Sequence, residues 1–153
     1  MHPVHESRDT TLDASSVDLP QPQRAARAVG AAPVGWKPGI FEHERLDAFT
    51  VARQALQAGD ALAKRLPRGY AHLADQTRRA LLAAYLGVAE AASRTGADRA
   101  ARFRCARGEA AEAAAALDAA SLLGLLPAPA IKEVMALLAR LCAMLTRLAR
   151  PAA

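Results

Sequence analysis

Small and aliphatic side chains return at alternating steps of three and four along four stretches between residues 46 and 150, and this spacing constrains the chain more than any other feature. Steps of three and four put side chains on one stripe of a helix, whereas a strand needs alternation by two. The first row is Leu46, Phe49, Ala52, Leu56, Gly59, Ala63 and Leu66, which predicts a helix over 46–66 stopped by Pro67 and Gly69. The second row, Leu73, Thr77, Ala80, Ala84, Val88 and Ala91, predicts a helix over 70–93. The third, Phe103, Ala106, Ala110, Ala113, Leu117, Ala120 and Gly124, follows a turn at 95–98 and predicts a helix ending near Leu123. Thr95 and Asp98 have the spacing of a capping box at its start. The fourth row, Ile131, Val134, Leu138, Leu141, Leu145 and Leu148, predicts a helix over 130–149 with Pro129 at its first position.

Four such helices on short connections bury their stripes only against one another. The expected fold is therefore all-α: an antiparallel up-down-up-down four-helix bundle over 43–150. Residues 1–42 are expected to form a disordered or extended N-terminal tail, because the first 40 residues hold five of the nine prolines and show no sustained period. Trp36 and Phe41 flank a Lys-Pro-Gly turn that is placed to pin the tail to the bundle. His2 and His5 lack a third ligand nearby and read as part of a flexible tail.

About a quarter of the residues are Ala. An alanine core is thin, so its helices must come close, and Gly108 is expected to admit a neighbouring backbone or a large side chain. A core of this kind gains stability from self-association. Leu82 and Leu86 fall opposite the stripe of the second helix, and Met135, Leu137, Cys142 and Met144 widen the apolar arc of the fourth beyond what one bundle needs. The expected oligomer interface is Leu82, Leu86, Leu137 and Met144. Cys105 and Cys142 lie in apolar surroundings outside any CxxC pattern, as expected of buried free thiols in a reducing cytoplasm. Residues 1–16 contain no apolar signal core, and the stretch 122–138 is broken by Pro127, Pro129, Lys132 and Glu133, so neither secretion nor a membrane span is expected.

Charge is uneven. Residues 1–44 carry four basic and six acidic side chains, and residues 45–153 carry 16 basic and nine acidic ones. Nearly all the basic residues are Arg, whose fork suits phosphate and carboxylate. No catalytic constellation stands beside them: no glycine-rich phosphate loop, no HExxH, no serine elbow, and no Glu-x-x-His on the bundle helices. The expectation is a protein that is not an enzyme and has no cofactor or metal. Arg78, Glu90, Arg107, Glu109 and Glu112 are expected to form structural polar pairs, with Arg78, Arg79 and Arg107 as partners for the two glutamates of the third helix. Arg79, Arg94, Arg99, Arg102 and Arg104 are the candidate contacts to RNA or DNA. Aromatic residues are too few for base stacking, so binding should be weakly sequence-specific and salt-dependent.

One order of residues is more specific. Leu66, Pro67, Tyr70, Leu73, Gln76, Arg78, Arg79 and Ala80, then Val88, Ala89 and Glu90, then Arg102, Phe103, Ala106, Gly108 and Glu112 are in sequence as in a known group. The chain thereby resembles the four-helix bundle family of intervening-sequence proteins, encoded within bacterial large-subunit ribosomal RNA genes. The accessory variability proteins of diversity-generating retroelements are similar to the same family. The resemblance spans about residues 43–150. The family pattern reads Leu-Arg-Arg-Ala-Ala, Asn-Ile-Ala-Glu-Gly and Gly-Ser-x-x-Glu; here Thr77, Gly87, Ala91 and Glu109 depart from it. The resemblance implies a homopentamer and, for the retroelement branch, binding to nucleic acid and to a reverse transcriptase. The sequence leaves a second reading open, a structural or protein-interaction scaffold with no nucleic-acid role.

Overall fold

The computed structural model describes residues 39–150, and the tail expected over 1–42 therefore lies almost wholly outside the described residues, with His2, His5 and Trp36. The described residues are all helical, with four long helices and no strand: α1 Asp47–Ala63, α2 Ala71–Ala92, α3 Gly96–Leu122 and α4 Ala128–Leu148. A short 3-10 turn, Glu42–Arg45, precedes α1, and another, Arg68–Tyr70, precedes α2. Each helix packs on two others: α1 on α2 and α4, and α3 on α2 and α4. The result is a four-helix bundle.

The spaced rows meet in the core. Phe103, Ala106, Ala110, Ala113, Leu117 and Ala120 of α3 are buried, as are Ile131, Val134, Leu138, Leu141 and Leu145 of α4. The α1 stripe is rotated and widened relative to the expected one: Ala48, Val51, Ala55 and Leu62 are buried, while Leu56 and Leu66 only pack partly against the core. Thr77 is the one buried polar residue among those described, and its hydroxyl donates to the Leu73 carbonyl at 2.8 Å, which removes the cost of burying it.

Close approach comes from glycines other than Gly108. A Cβ on Gly87 would stand 3.0 Å from the Ala106 Cβ, so α2 and α3 draw together where both helices are small. A Cβ on Gly59 would strike the Leu81 side chain, which uses the open space on α1. Gly108 is exposed and nothing lies within 4 Å of where its Cβ would be, so the expectation that it admits a neighbour is corrected. It sits on the outer side of α3, one step away from the Ala106 and Ala110 layer.

The helix ends follow local chemistry. Gly124 is not a core layer: it adopts φ +71° as the residue that closes α3. Its N–H donates to the Ser121 carbonyl at 2.9 Å and that of Leu125 to Ala120 at 2.9 Å, the Schellman arrangement, with Leu126 buried beneath. Pro129 takes the second helical position of α4 and Pro127 the N-cap. The capping box at Thr95 does not form; Thr95 makes no side-chain cap bond, and Asp98 accepts from Arg94 instead at 2.8 Å. At the start of the described chain, the Glu44 carboxylate accepts from the Gly39 and Phe41 N–H groups, at 2.6 and 3.2 Å, and fixes the approach to α1.

Candidate nucleic-acid interface

The structure sorts the candidate arginines into two sets. Along the outer edge between α2 and α3, each one meets a counter-ion or an amide. Arg102 Nε lies 2.5 Å from a Glu90 carboxylate oxygen, out of line for a true hydrogen bond but at full ionic contact. Arg94 pairs with the same Glu90 and with Asp98. The hydrogen bond that Arg94 donates to Asp98, ahead of the charge of Glu90, holds the Arg94 pKa above its ordinary value. Arg79 donates to the Gln76 side chain, whose amide in turn donates to Glu112. Of these side chains, Arg102 lies beside the Gly87–Ala106 contact, its Nη2 3.8 Å from where a Cβ on Gly87 would stand.

Arg99 and Arg104 make no ion pair among the described residues. The Arg99 guanidinium sits 5.3 Å from the centroid of the buried Phe103 ring, a cation–π contact that orients it without neutralising it. Both residues line a cleft of about 630 Å³ between the start of α3 and the end of α4, together with Gly96, Ala97, Ala100, Leu148 and Arg150. Among the described residues no carboxylate lines this cleft. Arg150 was not among the sequence candidates, although its place just past α4, beside Arg147, is where cations offset the negative end of a helix.

The expected structural pairs hold in part. Arg78 does pair, but with Asp60 of α1 at 3.0 Å and Asp75 at 3.7 Å, not with the glutamates of α3. Hydrogen bonding from Lys64, then from Arg78, holds the Asp60 carboxyl below its usual range despite its partial burial. Glu90 is the hub described above. Glu112 takes an amide, Glu109 has no ion pair among the described residues, and Arg107 donates to the Thr146 hydroxyl of α4 at 3.2 Å. The reason is rotational: α2 turns Arg78 toward α1, which places it out of reach of α3.

The apolar candidates also divide. Leu82 and Leu86 are 46% and 52% exposed, as the sequence implies. Leu137 and Met144 are half-buried and pack against the bundle's own core. Leu122 and Leu123 were missed and are more exposed, at 80% and 58%, because α3 ends there and turns away. Cys105 is exposed, which corrects the expectation of two buried thiols. Cys142 is half-buried; burial pushes its thiol pKa up, and the nearby Arg107 charge opposes that.

Among the described residues no group of three His, Cys, Asp or Glu side chains is placed to hold a metal, and no helix is long and apolar enough to cross a membrane. No family model matches the chain, and no curated protein matches its sequence.

Proposed function

We propose that the chain is a non-enzymatic, self-associating helical bundle that holds nucleic acid through arginines without counter-ions. The observation that carries this reading is the cleft lined by Arg99, Arg104 and Arg150 and, among the described residues, by no acid. An uncompensated cationic patch attracts a phosphate backbone by releasing its counter-ions, with no need for base recognition. Arg79, Arg94 and Arg102, bound to Gln76, Glu90 and Asp98, have a structural share that Arg99 and Arg104 lack. The same reading takes the bundle as antiparallel, up-down-up-down. What supports it is that Gly59 and Asp60 near the end of α1 meet Leu81 and Arg78 of α2, and that Gln76 meets Glu112 while Glu90 meets Arg102, as opposite senses of α2 and α3 require. A pentameric assembly and a role beside a reverse transcriptase are the parts that the family resemblance suggests, and a cytoplasmic location is the part that the cysteine pattern suggests.

The test is affinity for mixed-sequence single-stranded RNA across a salt series. The protein is expected to bind at low salt and to lose affinity steeply as salt rises, and Arg99→Glu with Arg104→Glu is expected to abolish binding while the helical signal stays intact. Failure to bind at the lowest salt rejects the reading. The exposed Leu82 and Leu86 favour a second reading, an assembly scaffold with no nucleic-acid role. That reading expects an oligomer whose mass drops when both are changed to Ser and whose behaviour ignores RNA.

A further inference from the structure

We infer that the cleft between the start of α3 and the end of α4 takes a phosphomonoester dianion, the terminal phosphate of a nucleic-acid strand, and not merely a passing backbone phosphodiester. This rests on the nucleic-acid reading above and makes it more specific. Three arginines, Arg99, Arg104 and Arg150, line one cleft, with no acid among the described residues of its wall. A diester offers one charge and two free oxygens, too little to engage three forks; a monoester offers up to two charges and three oxygens, which match them. Arg99 is held over Phe103, so at least one fork is positioned before the ligand arrives. The nearest acid of the first α3 turn, Asp98, is engaged by Arg94 and is not part of the lining.

Two further features fit an end and not a through-running strand. The cleft, at about 630 Å³, has room for a terminal nucleotide, and Ala97, Ala100 and Leu148 supply an apolar wall for its sugar or base. The wall also contains the start of α3, where Thr95 supplies no cap and the backbone N–H groups point outward with the positive end of the helix. The negative end of α4 lies across the cleft at Leu148, with Arg147 in its last turn and Arg150 just beyond it.

The experiment measures affinity of the full chain, at moderate salt, for one short single-stranded RNA made in three forms: 5′-phosphorylated, 3′-phosphorylated, and with hydroxyls at both ends. Inorganic phosphate is titrated separately. One phosphorylated form is expected to bind on the order of tenfold more tightly than the hydroxyl form. Arg104→Gln with Arg150→Gln, both at exposed positions, is expected to bring that ratio close to one. Equal affinity for all three forms overturns the terminal-phosphate site and leaves nucleic-acid binding standing. Binding of inorganic phosphate with no binding of any RNA keeps the phosphate cleft but rejects a strand as its source. Binding of none of them at moderate salt overturns the terminal-phosphate site, and the nucleic-acid reading falls with it when the RNA also fails to bind at the lowest salt.

Discussion

The α2–α3 edge and the α3–α4 end of the bundle are built from the same residue type, and they use it in opposite ways. At the edge, Arg94 and Arg102 converge on Glu90, and Arg79 joins Gln76 and Glu112. At the end, Arg99, Arg104 and Arg150 line a cleft with no counter-ion among the described residues. The first arrangement ties α2 to α3 beside their close approach at Gly87 and Ala106. The second keeps its charge available to a ligand. Arginine content alone therefore says little about binding; the placement of the carboxylates decides which arginines are free to act.

The largest effect that sharpens this contrast lies beneath both regions. Phe103 is fully buried and carries Arg99 on its face. Phe103→Ala is expected to cost about 3–5 kcal/mol in denaturant unfolding. At the edge itself, Gly87→Val would force α2 and α3 apart and is expected to cost about 1–3 kcal/mol, whereas Gly108→Ala, with open space around it, should stabilise by about 0.5–1 kcal/mol. Equal effects at the two glycines would break the claim that the close approach is at Gly87.

A crossed pair of substitutions separates the two uses of arginine. Arg102→Gln is expected to lower stability by about 0.5–1 kcal/mol and to leave RNA affinity within about twofold. Arg104→Gln is expected to leave stability within about 0.5 kcal/mol and to weaken RNA binding. Reversal of that pattern would overturn the sorting. A smaller effect concerns Asp60. Its folded pKa lies below the unfolded one, so its contribution is present above the unfolded value and is lost as pH falls through the folded value. Asp60→Asn should therefore flatten the acid side of the stability profile, by no more than about 1 kcal/mol given how open the pair is to water. Last, Cys105 should react with a thiol reagent faster than Cys142, which is half-buried with a raised pKa.

Much of the fold was legible in the sequence because it is written in local signals. The rows through Phe103 and Leu138 are buried as spaced, and Pro67, Gly124 and Pro127 stop the helices within a few residues of the expected ends. The close approach was expected at Gly108 and missed at Gly87, although Gly87 continues the Ala80, Ala84, Ala91 stripe at helical steps and Gly108 falls off the Ala106, Ala110 row. The pairing of the charges was not legible, since it depends on how far each helix is rotated. A rotation of α2 toward α1 sends Arg78 to Asp60, and α3 turns Arg102 inward to Glu90 while Arg104 faces the cleft. The cleft itself joins residues about 50 apart, Arg99 and Arg150, which only the packed bundle brings together.

The most direct measurement is the slope of log affinity against log salt for single-stranded RNA, taken for the unaltered protein and for Arg99→Gln with Arg104→Gln. The unaltered protein is expected to bind with a steep negative slope, and the double substitution to flatten it by roughly 0.7 for each lost phosphate contact. A slope that the double substitution leaves unchanged, or no binding to RNA at low salt, would contradict the account.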